Sequence, residues 1–233
     1  MLTGPQFSPD KLAEVRLRIE AAARVAGRDP STVRLLAVSK QQPVAAIRAA
    51  VEAGQLEFGE NYLQEALPKI RELAALPVVW HFIGRLQGNK TAGVAENFAW
   101  VHTLDRERIA RRLSAQRPHH APPLEVLLQV RLDDEPDKGG AEPQELPRLA
   151  EIVAGLPRLR LRGLMCIPAP AADAPPGVQR IPFARLRALL ADLNARGHDL
   201  DTLSMGMSGD LEAAVAEGAT IVRVGTALFG PRD

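Results

Sequence analysis

The stretch RLLAVSKQQPVAAIRAAVEAG, residues 34–54, carries the unit from which the fold is read. Residues 34–40 form an apolar run of strand length. Pro43 then stands where the first turn of a helix tolerates a missing N–H, and Val44, Ile47 and Val51 recur at helical spacing until Gly54. The same strand-then-helix unit repeats down the chain. LEFGEN precedes a helical pattern over 62–75, VVWHFIG one over 89–97, WVHTLD one over 106–116 and EVLLQVRL one over 142–155. LRLRGLMCI precedes 183–196, DTLSMG precedes 208–217, and TIVRVGTALFG closes the series as the eighth strand. An amphipathic helix over 8–26, with Leu12, Val15, Ile19 and Ala22 on one face and Ser8 as candidate cap, comes before the first strand. Regular alternation implies parallel strands with crossover helices, and eight of them in a chain of this length predict an α/β fold of the (β/α)8 TIM-barrel type with an additional N-terminal helix. An open doubly wound sheet is the alternative, weakened because no G-x-G-x-x-G follows the first strand. No linker divides the chain, so one domain spanning 1–233 is expected. The Pro-rich stretch 168–182 falls between a strand and its helix, as either a lid or a tolerated insertion.

Composition sets the outer bounds. Of 233 residues 46% are hydrophobic and 24% charged, close to the globular average, so a sizeable core can be buried. The formal net charge of +1 leaves no excess of positive charge for a phosphate backbone, and nucleic acid is not an expected partner. One cysteine, Cys166, forbids an intramolecular disulfide and fits a reducing compartment, hence the cytoplasm. Neither a signal peptide nor an apolar run of membrane-spanning length is present, so no membrane partner is expected.

Several residues stand where chemistry could occur. Lys40 ends the first run and shares a two-residue period with Leu36 and Val38, which aims it into the barrel mouth. A lysine there is either an exposed strand end or, if burial favours its neutral amine, a nucleophile able to form a Schiff base. In LSMGMSGDLEAA, residues 203–214, a strand ends in small residues and Ser208 is placed to cap a helix; N–H groups and helix dipole together suit an anion. Gly225 and Thr226 follow the last strand, and barrel phosphate sites are often built from the loops after strands seven and eight. An ordinary capped helix with a glycine turn is the plainer alternative. The alternation that buries Ile221 turns Arg223 inward, where it needs an internal carboxylate or a ligand atom. Asn61, His81 and Arg85 lie at or just past the ends of strands two and three as wall residues, although a lone His there is commonly structural. No paired His or Cys spacing suggests a metal.

Together the motifs LLAVSK (35–40), FGENYLQEALPKI (58–70), WHFIGRLQGNK (80–90), RGLMCIPAP (162–170) and MGMSGDLEAAVAEGATIVRVGTALFG (205–230) resemble the pyridoxal phosphate homeostasis proteins, the YggS/PROSC family. The resemblance runs in order along almost the whole chain. It implies a barrel similar to the N-terminal domain of alanine racemase, with pyridoxal 5′-phosphate (PLP) held as a Schiff base on Lys40. It further implies phosphate contacts from Ser204, Met207, Ser208, Gly225 and Thr226, Arg223 facing the pyridine nitrogen, and Asn61 and His81 lining the ring. Two departures stand out: the loop after RGLMCI is long and Pro-rich, and Cys166 stands where a smaller or hydroxyl residue is usual.

The expected function is therefore buffering of PLP and its delivery to apoenzymes, with PLP and, transiently, PLP-dependent apoenzymes as partners of a monomer that shows no turnover. The alternative is a PLP-dependent amino acid racemase, which needs acid/base groups on both faces of the substrate carbon. Against it, the chain closes at Asp233 directly after the last strand, with no second domain expected to bring the opposing tyrosine. An arginine at the ring nitrogen also weakens the cofactor as an electron sink. A cofactor-free Schiff-base aldolase would use the same lysine but leaves Arg223 unexplained.

Overall fold

The computed structural model describes residues 7–132, 139–169 and 175–230. Eight parallel strands close in sequence order: β1 (Arg34–Val38), β2 (Glu57–Glu60), β3 (Val79–Phe82), β4 (Trp100–Leu104), β5 (Leu124–Gln129), β6 (Leu159–Met165), β7 (Thr202–Ser204) and β8 (Ile221–Val224). β8 returns to β1 with Leu36 beside Arg223 and Ala37 beside Val224. The expected (β/α)8 barrel is the fold.

Helix α1 (Pro9–Val25) precedes the barrel. The crossovers are α2 (Val44–Glu52), α3 (Leu63–Glu72), α4 (Thr91–Asn97), α5 (Glu107–Gln116), α6 (Leu146–Ala154), α7 (Pro176–Ala195) and α8 (Leu211–Ala216), and α9 (Thr226–Phe229) is a single turn after β8. Strand side chains alternate between two environments. Leu35, Ala37, Phe58, Val101 and Val126 join the large cluster between strands and helices. Leu36, Val38, Ile83 and Ile221 form a separate small cluster, and Trp100, Leu127 and Met165 another.

Two expectations need correction. Helix α7 starts at Pro176, not Phe183: Pro176 sits at the helix start, where a missing N–H costs nothing, and the Gln179 N–H reaches the Pro175 carbonyl. Pro182, expected in the loop, is thus inside the helix. Residues 170–174, within the stretch 168–182 to which the lid reading applied, lie outside the described residues. The final stretch TIVRVGTALFG is also not all strand, because the Gly225 carbonyl accepts from the N–H groups of Leu228 and Phe229 and turns the chain into α9.

Candidate cofactor-binding site

Lys40 lies half-buried in the turn after β1, at the end of the barrel where catalytic groups of this fold gather. Its parity is that of Leu36 and Val38, which face inward. The turn is held from behind by polar groups. Ser39 Oγ donates to Glu60 Oε1 at 2.7 Å, and Lys69 Nζ donates to the same oxygen and to the Ser39 carbonyl, both at 2.9 Å. Glu65 bonds Lys69 and accepts the N–H of Gln41, whose φ of 61° is unusual for a residue with a side chain. Burial pushes the Glu60 carboxyl pKa up, opposed by the Lys69 ammonium and then by the Ser39 hydroxyl. Sequence reading missed this assembly; the i,i+4 spacing of Glu65 and Lys69 was its one local signal.

Beside it, Asn61 follows β2 and lines a cavity of about 170 Å³ together with Ile83, Gly84, Arg85 and Asp105. Its Oδ1 is buried and lacks a hydrogen-bond partner among the described residues. Such an acceptor is costly unless a ligand meets it. Gly84 allows the close approach, since a Cβ there would come within 1.9 Å of the Asn61 carbonyl oxygen.

The loops after β7 and β8 form the third wall. Gly206 has φ of 91°, and a Cβ on it would lie 2.5 Å from the Ala214 Cβ, so the turn needs glycine. Ser208 does not cap α8. Asp210 occupies that position, and its Oδ1 turns back to accept the Met207 N–H at 2.5 Å, so the helix starts later than expected. Burial raises the Asp210 pKa, opposed by that N–H. The N–H groups of Ser208, Gly209, Gly225 and Thr226 donate to no acceptor among the described residues. Four unspent donors on two adjacent loops make an anion cradle, and the Met207 amide is engaged elsewhere.

Arg223 is buried on β8. Nη1 donates to Ser204 Oγ and Nη2 to the Cys166 carbonyl, each at 2.8 Å, so further N–H donors of the guanidinium are left over. Burial works against its charge, partly offset by Asp210. Two of the expected ligand residues have protein partners inside the barrel. The Ser204 hydroxyl lies between Arg223 and His102. His81 is fully buried, stacked on Trp100 at 5.4 Å and hydrogen-bonded to His102 at 3.0 Å. Inward parity on β3, two residues before Ile83, places it in the barrel interior. Sequence reading did not single out His102, whose hydrogen-bond partners, His81 and Ser204, lie on two other strands.

The alanine racemase N-terminal domain family matches residues 11–233. A pyridoxal phosphate homeostasis protein of Pseudomonas aeruginosa is 61% identical over 224 residues, covering 96% of this chain and 95% of its own. Another from Escherichia coli K12 is 54% identical over 226 residues, with 95% of each chain covered. PipY of Synechococcus elongatus, solved with PLP bound, gives a TM-score of 0.78 at 40% identity over 91% of this chain and 100% of that one. Alanine racemase of Bacillus anthracis gives 0.71 at 20% identity over 99% of this chain and 59% of its own, a likeness of fold alone.

Proposed function

The chain belongs to the pyridoxal phosphate homeostasis protein family, and from that premise we propose that residues 1–233 act as one cytoplasmic PLP-binding barrel that buffers the cofactor and passes it to apoenzymes. The cradle of four unspent N–H groups after β7 and β8 carries the reading, because it matches a phosphate. The other anchors suit the rest of the molecule. Lys40 supplies the amine for the covalent link, the Asn61 Oδ1 awaits a donor, and Arg223 offers its remaining N–H groups to the ring nitrogen. Bound PLP would bring a reactive aldehyde and an electron-accepting ring.

What the protein adds points to holding, not turnover. Arg223 only donates, so it keeps a ring nitrogen facing it unprotonated and lowers the ring's pull on electrons. Tyr62, the chain's one tyrosine, starts α3 with 55% of its surface exposed. A single cysteine, the buried Cys166, supports a reducing compartment, and among the described residues no helix is long and apolar enough to cross a membrane.

Borohydride reduction of PLP-loaded protein followed by peptide mapping should place the pyridoxyl group on Lys40; a label mainly on Lys90 or Lys138 overturns the site. Chiral chromatography of alanine and serine incubated with the loaded protein should show no sustained turnover. Racemisation at ordinary enzyme rates of ~1–10³ s⁻¹, lost in Lys40→Ala, would make it a racemase.

A further inference from the structure

Inside the barrel, below the mouth, runs a line of polar groups on which the site residues rest. Ser204, His81 and His102 are fully buried and Arg223 is 4% exposed. Arg223 Nη1 lies 2.8 Å from Ser204 Oγ, which lies 2.9 Å from His102 Nδ1. His102 Nε2 lies 3.0 Å from His81 Nδ1, and His81 Nε2 lies 3.4 Å from Glu57 Oε2. Glu57 begins β2 and lines a cavity of about 510 Å³ at the opposite end of the barrel, where Arg34 pairs with it at 3.3 Å. The line thus crosses the barrel from end to end. TIM-barrel interiors are ordinarily filled by branched apolar side chains, so a polar layer here needs a reason.

The two ends of the line orient it. The guanidinium only donates, so Ser204 Oγ accepts from Arg223, and the carboxylate only accepts, so His81 Nε2, 3.4 Å from Glu57 Oε2 but without a hydrogen-bond partner of its own among the described residues, carries the His81 proton toward it. His81 Nδ1 then accepts from His102 Nε2–H, and His102 Nδ1 accepts the Ser204 hydroxyl proton. Burial holds both imidazoles well below their usual pKa, with Arg34 acting in the same direction on His81 and His81 on His102. Both rings are therefore neutral, each in a single tautomer. A cation at one end and a carboxylate at the other suit a line whose dipoles all point the same way.

We infer that His102 and His81 are positioning residues for Arg223: the one-directional line from Glu57 fixes the Ser204 acceptor, and Ser204 with the Cys166 carbonyl fixes the guanidinium that meets the ring nitrogen. The last clause rests on the PLP reading above, whereas the line itself does not. The Trp100 ring stacked on His81 keeps that imidazole from rotating.

The test therefore has a ligand-free arm and a ligand arm. In the ligand-free protein, ¹⁵N spectra should show both imidazoles as Nε2–H tautomers and slow rotation of the Arg223 guanidinium. His102→Phe should speed that rotation, and Ser204→Ala, which removes one oxygen from a small side chain, should do the same if the larger change prevents folding. An Nδ1–H or protonated ring, or unchanged rotation in these variants, overturns the inference whether or not PLP binds. In the ligand arm, wild type should prefer PLP over its 1-deaza analogue, which has a carbon for the ring nitrogen, by about tenfold or more, as a charge-assisted hydrogen bond contributes. The variants should lose most of that preference, while Leu113→Ala, in the outer shell, should keep it. A preference retained by the variants overturns the positioning role. Failure of wild type to bind PLP, with the ligand-free results as expected, overturns the functional reading and leaves the line standing.

Discussion

The space between strands and helices and the space inside the barrel are built on opposite rules. Outside the strands, Ile47, Phe58, Ile109, Leu113 and Leu124 are fully buried in a continuous apolar cluster. Inside, two small apolar groups flank the Glu57-to-Arg223 line, in which Arg223, Ser204, His102 and His81 are joined by hydrogen bonds between specific atoms. Hydrophobic burial is non-directional, so the shell tolerates exchange of one apolar residue for another of similar volume. Hydrogen bonds in a dry interior are directional, and an orphaned partner there costs more than the bond contributes. Stability is thus concentrated in the shell and precision in the interior. The shell departs from its own rule beneath the Lys40 turn, where Glu60 and Lys69 form a buried pair.

That exception is where the contrast can be broken hardest. Lys69→Met should leave the Glu60 carboxylate buried and unpaired and cost roughly 3–5 kcal/mol in urea unfolding, while Glu60→Leu with Lys69→Met should recover most of the loss. A loss under about 1 kcal/mol would show that the pair is not dry and that the contrast is overstated. Next, Leu113→Ala should cost about 2–5 kcal/mol by opening a cavity in the shell, with the preference for PLP over pyridoxal unchanged. A changed preference would mean that the shell also tunes the site.

Ser208→Ala with Thr226→Ala should do the reverse. Both side chains lie at partly or fully exposed positions, so the unfolding midpoint should hold. PLP binding should weaken by roughly 1.5–3 kcal/mol for each lost phosphate contact, far more than pyridoxal binding. Equal weakening of both ligands would remove these side chains from the cradle.

The smallest effect is expected at the surface, where α1 meets α8. Glu212 is paired with Arg18 at 2.8 Å, and that hydrogen bond holds its carboxyl pKa below the usual glutamate range. A depressed folded-state pKa stabilises at pH above the usual range and is lost as pH falls through the folded value. Because Glu212 is half exposed, the contribution should be under about 1 kcal/mol and should vanish in high salt. Comparing the acid limb of stability for wild type and Glu212→Gln measures it; a larger difference would make this exposed contact as exacting as the interior.

Much of this was legible in the chain itself. Alternating periods along residues 34–230 specified strands, helices and their order. The parity of Arg223 with Ile221 specified which way it faces, because a strand side chain's direction depends only on its neighbours two residues away. Small residues at 206, 208–209 and 225–226 marked the two turns for the same local reason. Closure of the barrel decided the rest. His102 meets His81 from 21 residues away and Ser204 from 102 residues away, and Glu60 finds Lys69 only once α3 folds back over β2. Local position likewise said nothing of the partners that Ser204 and His81 find across the barrel, and it misread Ser208 as a cap, because a neighbouring carboxylate on Asp210 took the amide that starts the turn. Direction is encoded within a few residues, but a polar partner inside a barrel is assigned by the stagger of eight strands, and no single window of sequence contains that stagger.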